Sequence, residues 1–196
     1  MFTGIIEATG TVTSLKQTGG NLDIVVESPI SHELKIDQSV SHNGVCLTVV
    51  EVSGNTHRVT AIDETLKKTN LGSLVVGDEI NLERCMKADG RFDGHVVQGH
   101  VDQKGSCLSV TENDGSWVLQ FSYTPMRENV VVEKGSICIN GISLTAFDAQ
   151  ENTFKVAIIP YTWQHTNISG IKPGNAVNLE FDIIGKYVAR MVQFKL

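Results

Sequence analysis

The 196 residues carry a formal net charge of −6, with 41% hydrophobic and 19% charged side chains, the balance of a globular protein able to bury one large core or two small ones. A net acidic chain is unsuited to phosphate backbones, which excludes a general nucleic-acid binder, and apolar runs broken within a few residues exclude a membrane-spanning helix. Four cysteines without a CxxC pair, and a start "MFTGIIEATG" with neither a basic region nor a long apolar stretch, point to free thiols in the cytoplasm rather than to a secreted, bridged protein.

Short strands dominate the chain from its beginning. After the turn signal "TGGN", Leu22, Ile24 and Val26 alternate with polar residues, the period of a half-buried strand. The segment "HNGVCLTV" occupies 42 to 49, the turn signal "SGNT" follows, and "ETLKKTNLG" is expected to hold a single helical turn as a connector. A polar, glycine-bearing junction, "CMKADGRFDG", comes next. Beyond it, "ENDG" precedes the alternating row Trp117, Leu119, Phe121 and Tyr123, and "INGISLTA" occupies 139 to 146. Phe154, Val156 and Ile158 form another row, and after "KPGN" so do Val177, Leu179, Phe181 and Ile183. The last segment, "DIIGKYVARMVQFKL", changes period: Ile184, Tyr187, Val188, Met191 and Val192 fall on one face of a helix. A helix this short is marginal alone. It either caps its own barrel or packs against copies of itself.

The chain is also an internal repeat. Asn43–Thr48 returns as Asn140–Thr145, Thr69–Asn70–Leu71 as Thr166–Asn167–Ile168, Gly77 as Gly174 and Asn81–Leu82–Glu83 as Asn178–Leu179–Glu180, all at an offset of 97. Near the start the offset becomes 95, so that Gly4, Glu7 and Gly10 answer to Gly99, Asp102 and Gly105. The expected organisation is an all-β chain of two related halves, residues 1–90 and 91–185, each a small closed or nearly closed barrel, with a terminal helix over 186–196. Two exchanges break the symmetry. Cys46 faces Ser143, and His100 stands where the first half has Ile5. The spacing of Cys85, His95, His100 and Cys107 matches no metal-binding pattern, and "GTVTSLKQTGG" lacks a phosphate-binding signature, so neither a metal nor a nucleotide cofactor is expected.

The start "MFTGII", the pair "HNGVCLT" and "INGISLT", the segment "GHVVQGHVD" and the pair "LKKTNLG" and "WQHTNISG" closely resemble the riboflavin synthase family, over essentially the whole chain. The resemblance implies two six-stranded Greek-key barrels and a C-terminal helix through which three copies associate, with working sites between barrels of neighbouring subunits. It also implies association with lumazine synthase. The family's reaction is a dismutation of two molecules of 6,7-dimethyl-8-ribityllumazine, in which one gives a four-carbon unit to the other. The products are riboflavin and 5-amino-6-ribitylaminouracil, and no cofactor is needed. A reaction between two identical flat rings calls for two similar pockets, and their different roles call for unequal side chains.

By the same resemblance, substrate contacts fall in both halves. Gly4, Ile5 and Ile6 match Gly99, His100 and Val101 as ring-lining segments. Cys46, Leu47 and Thr48 match Ser143, Leu144 and Thr145 on the motif strands. Thr60, Ala61, Ile62, Asp63, Glu64 and Thr65 match Ile159, Pro160, Tyr161, Thr162, Trp163 and Gln164, and Lys134 matches a basic contact. Cys46 is either a nucleophile toward ring carbon C7 or a thiol that shapes the pocket, in which case water or hydroxide attacks. His100, with Ser143 and Thr145, is the expected relay for a proton from the C7 methyl group. His95, at an odd separation from His100, is expected to be structural or to contact another subunit. Tyr161 departs from the family's acidic residue, which the first half keeps as Glu64. Two rival functions are a non-catalytic lumazine- or flavin-binding antenna protein, which is not expected to keep Cys46, His100, Ser143 and Thr145 together, and a flavin reductase barrel, which calls for a nucleotide-binding α/β domain that this chain does not supply.

Overall fold

The computed structural model describes residues 1–194. The first half closes into a barrel of β1 (Ala8–Thr18), β2 (Asn21–Glu27), β3 (Ser39–His42), β4 (Val45–Ser53), β5 (Thr56–Ala61) and β6 (Glu79–Arg84), in the order β1-β2-β5-β4-β3-β6. The second closes from β7 (Gln103–Asn113), β8 (Ser116–Ser122), β9 (Ser136–Ile139), β10 (Ile142–Phe147), β11 (Thr153–Ile158) and β12 (Ala176–Phe181), in the order β10-β11-β8-β7-β12-β9. Neighbouring strands are antiparallel throughout, so closure leaves no unpaired edge. The expected all-β double barrel is the observed architecture.

The alternating rows are what fill each core. Leu22, Ile24 and Val26 point inward with Val12, Val59 and Leu82 in the first barrel. Leu119, Phe121, Phe154, Val156, Val177, Leu179 and Phe181 do so in the second. Full burial of such side chains is worth about 1.5–3 kcal/mol each. The connector "ETLKKTNLG" becomes α1 (Asp63–Lys68) followed by a 3₁₀ turn at Asn70–Ser73, and its repeat becomes α2 (Pro160–His165) followed by one at Asn167–Gly170. The row ending at Ile183 is shorter than its periodicity suggests. The Asp182 side chain accepts the Ile184 N–H, caps a helix, and turns Ile183 from a strand position into the first residue of α3 (Ile183–Gln193).

The Asn–Gly of each repeated motif is a two-residue hairpin turn. Asn43 and Gly44 take φ of 48° and 80°, Asn140 and Gly141 take 46° and 84°, the left-handed pair that a type I′ hairpin demands. The two turns meet at the junction of the barrels, where a Cβ on Gly44 would lie 2.7 Å from the Gly141 nitrogen. Six repeat-related asparagines knit this contact. Asn81 Nδ2 donates to Asn167 Oδ1 and Asn178 Nδ2 to Asn70 Oδ1, both at 2.8 Å, while Asn70 Nδ2 donates to Asn140 Oδ1 at 3.1 Å and Asn167 Nδ2 to Asn43 Oδ1 at 2.9 Å. Each bond contributes about 0.5–1.5 kcal/mol net and sets the angle between the barrels.

Candidate active site

The segments leading into the two barrels are exchanged between them. The Ser143 N–H donates to the Gly4 carbonyl at 2.8 Å, and the Cys46 N–H donates to the Gly99 carbonyl at 2.9 Å. Ile6 accordingly packs on the core of the second barrel and Val101 on that of the first. Both glycines are required. Gly4 and Gly99 have φ of 78° and 80°, and an added Cβ would meet the Cβ of Ser143 or of Cys46, respectively, at 2.6 Å. Each loop is pinned by a buried carboxylate. Glu83 accepts from the Thr3 N–H, the Thr3 hydroxyl and the Gly4 N–H at 2.6, 2.8 and 2.9 Å. Glu180 accepts from the N–H groups of Gln98, Gly99 and His100 at 2.6, 2.9 and 2.9 Å. Burial pushes both carboxyls above the usual range, and these hydrogen bonds oppose it.

One pocket opens on each barrel, and the exchanged segment Gly99–Val101 lines the first. The first, about 280 Å³, is lined by Cys46, Glu64, Thr65, Gly99, His100 and Val101, together with Val45, Lys68 and Thr69. The second, about 360 Å³, is lined by Lys134, Ser143, Leu144, Thr145, Ile159 and Thr162, with Phe147 and Ala157. Leu47 and Ala61 are buried, and Leu47 packs in the first core, whereas Thr48, Ile62 and Asp63 are exposed. The Thr60 hydroxyl donates to Asp23 at 2.6 Å. Pro160 and Gln164 are exposed on α2, and Trp163 stacks on Trp117 with ring centres 4.2 Å apart. Glu64 pairs with Lys68 at 2.9 Å, whereas its counterpart Tyr161 is exposed and stacks on His165, at 4.1 Å between centres.

Within one chain, His100 sits with Cys46 and not with Ser143 and Thr145. The histidine that meets Ser143 is His95, whose Nδ1 lies 2.7 Å from the Ser143 Oγ. Burial holds the His95 pKa below the ordinary histidine value, with Asp182 opposing. The junction folds back to allow this contact, since the His95 N–H donates to the Thr3 carbonyl at 3.1 Å. Its residues have no partner in the repeat, so no comparison of the halves points to it. Phe2 is a second missed residue. It is fully buried against Val97 and Cys138, with Cys46 packed alongside. Burial also pushes the Cys46 thiol up, a Ser39 hydrogen bond opposing, which disfavours the thiolate. Among the described residues no cluster of three or more His, Cys, Asp or Glu side chains is placed to hold a metal ion, and no helix is long and apolar enough to cross a membrane.

Comparison with known proteins matches this geometry to a family. The model of the lumazine binding domain matches twice, at residues 3–85 and 98–182. Riboflavin synthases from Actinobacillus pleuropneumoniae and from Bacillus subtilis are each 39% identical, over 98% of this chain and 90% of theirs. The Photobacterium phosphoreum riboflavin synthase is 34% identical over 98% of the chain and 89% of its own. Among solved structures, LumP complexed with riboflavin shares the fold at a TM-score of 0.84 and 23% identity, covering 92% of this chain and 99% of that one. LumP complexed with 6,7-dimethyl-8-(1'-D-ribityl) lumazine does so at 0.83 and 21%, covering 92% and 98%. With both halves matched and such relatives spanning nearly its whole length, the chain belongs to the riboflavin synthase family of duplicated lumazine-binding barrels.

Proposed function

We propose that the chain is a working riboflavin synthase, converting two molecules of 6,7-dimethyl-8-ribityllumazine into riboflavin and 5-amino-6-(D-ribitylamino)uracil by transfer of a four-carbon unit. The observation that carries this reading is the pair of pockets on repeat-related strands, unequal in reactive side chains: Cys46 and His100 line one, and Ser143, whose hydroxyl meets His95, lines the other. Backbone groups around Gly4 and Gly99 suit the donors and acceptors of a pyrimidine ring, and the hydroxyls and amides nearby suit a ribityl chain. Holding two rings face to face replaces a two-body encounter with a local one, worth about 7–11 kcal/mol. The His100 imidazole serves as base for the C7 methyl proton. Burial raises the Cys46 thiol, which favours a role in shaping the pocket with water or hydroxide adding to C7.

Because His100 and Ser143 occupy different pockets of one chain, the relay joining them is assembled between subunits. The exposed apolar face of α3 supports a trimer that brings unlike barrels together. Ile184, Tyr187, Val188, Met191 and Val192 are each 54–70% exposed on it, so α3 does not bury that face on its own barrel. Four free cysteines suit a cytoplasmic location. The antenna reading differs in lacking turnover. Purified protein mixed with 6,7-dimethyl-8-ribityllumazine, with no cofactor added, is expected to consume the lumazine absorbance and produce riboflavin fluorescence. Tight binding without conversion contradicts the enzyme and favours the antenna.

A further inference from the structure

Four buried polar side chains run through the first barrel, and two of them, His42 and His57, stand where the second has hydrocarbon. The His42 Nδ1 lies 3.0 Å from the Val40 carbonyl oxygen, and its Nε2 lies 2.8 Å from the Nε2 of His57. The His57 Nδ1 lies 2.8 Å from the Ser31 Oγ, which lies 2.8 Å from the Ser28 Oγ. None of the four is more than 4% exposed. At the repeat-related positions the second barrel has Ile139 and Phe154, both fully buried. The first barrel thus places two imidazoles where its twin places hydrocarbon.

The partners fix every proton. A carbonyl only accepts, so the His42 Nδ1 carries hydrogen and a neutral His42 can only accept at Nε2. His57 must then donate from its Nε2, which leaves its Nδ1 to accept from the Ser31 hydroxyl, and Ser31 to accept from Ser28. Both rings are neutral in this arrangement. A proton added to His42 sets two N–H groups against each other across 2.8 Å unless His57 moves its hydrogen to Nδ1 and the Ser31 hydroxyl turns to accept it. Either way the charge has no counter-ion. A proton added to His57 leaves an unpaired charge in the barrel interior.

No opposite charge among the described residues is turned toward the pair. On the 3₁₀ turn Ser31–Glu33, His32 and Glu33 lie at the surface. On β6, Glu83 is committed to Thr3 and Gly4, and Arg84 to Glu7 and Glu33. Arg58 on β5 pairs with Glu51 on β4 and Asp23 on β2, and Glu27 on β2 is exposed.

We propose that the His42–His57–Ser31–Ser28 chain is a pH-sensitive latch, which closes the first barrel while both imidazoles are neutral and opens that barrel ahead of the second when acid protonates them. Burial lowers His42 to about 3 and His57 to about 4, from an ordinary value of 6.5. The folded pKa values are the depressed ones, so the unfolded barrel takes up protons first. The stability that the pair contributes is complete above pH 6.5 and is lost as pH falls from there toward 4 and then 3. Glu83 and Glu180 occupy equivalent places in the two halves, and His95 beside Ser143 is only partly buried, unlike the fully buried imidazole pair of the first barrel. The pocket at Cys46 is then lost in acid before the pocket at Ser143.

The test uses the full chain and needs no turnover, so it stands apart from the enzymatic assay. Nitrogen-15 spectra of the histidine rings are expected to show the Nδ1–H tautomer for His42 and the Nε2–H tautomer for His57, with neither titrating near 6.5 while the protein is folded. Both tryptophans, Trp117 and Trp163, lie in the second barrel. On acidification, amide protection of β2 to β5 is expected to disappear before tryptophan emission shifts. The double replacement His42→Ile with His57→Phe, which installs the second barrel's residues, is expected to lower the acid midpoint of the first barrel by about one pH unit. Titration of either ring near 6.5 in folded protein overturns the latch, as does simultaneous loss of both barrels in the parent. Should the double variant not fold, the tautomers and the order of loss in the parent decide.

Discussion

Cys46 and Ser143 are equivalent residues in the repeat, and what surrounds each sets its chemistry. Burial disfavours the Cys46 thiolate, whereas the Ser143 hydroxyl has an imidazole 2.7 Å away. His100 is exposed at the mouth of the Cys46 pocket, its backbone fixed by Glu180 and its ring free to meet a substrate. A base used for one proton transfer contributes mainly in the transition state. Replacing His100 with Gln is therefore expected to lower turnover by about 10²- to 10⁴-fold while riboflavin affinity changes little. Steady-state rates set beside fluorescence titration check this, and equal losses in both would leave His100 a contact. The exchanges of Cys46 with Ser143 and of Ile5 with His100 are visible in the sequence because a repeat supplies its own comparison, position against position. The partnership of His95 with Ser143 was not, because it depends on how the unrepeated junction folds back onto Thr3. The mismatch of His42 with Ile139 and of His57 with Phe154 is visible at the same offset, but only the fold shows that the two rings touch.

Among elements, the strands were legible wherever apolar residues alternate, since that pattern is the direct imprint of a one-sided core. The failures came at ends. Ile183 continues the alternation of β12, yet the Asp182 cap starts a helix there, a local hydrogen bond overriding periodicity. The "NG" of each repeated motif turns a hairpin and brings Asn43 and Asn140 to the seam between barrels, a duty that the repeat alone did not reveal. Helix α3 is joined to the second barrel through Lys186, whose Nζ lies 2.6 Å from Asp102 Oδ2, while its apolar face looks outward. In the trimer proposed above, copies of the same helix cover that face. Deleting residues 186–196, of which the last two lie outside the described residues, is expected to convert a trimer to monomers in sedimentation velocity, with both barrels still folded by circular dichroism. A persistent trimer would move the association surface elsewhere.

For the whole molecule, duplication yields two pockets from one design, and the exchange of leading segments ties the motif strand of each half to the other half. The first pocket takes Gly99 to Val101 from the other half, while Gly4 is bonded to Ser143 and Ile6 packs on the core of the second barrel. The asparagine seam holds the halves in the relation that this exchange requires. Such an exchange is hidden from a linear sequence, where each leading segment precedes the barrel it does not serve. The account stands on two unlike pockets presenting two like rings to each other. A crystal structure of the protein with an unreactive analogue of 6,7-dimethyl-8-ribityllumazine tests it most directly. One ring beside Cys46 and His100, facing a second ring beside Ser143 and Thr145 of a neighbouring copy, is the predicted result; a ring in one kind of pocket only, with nothing opposite it, would contradict the account.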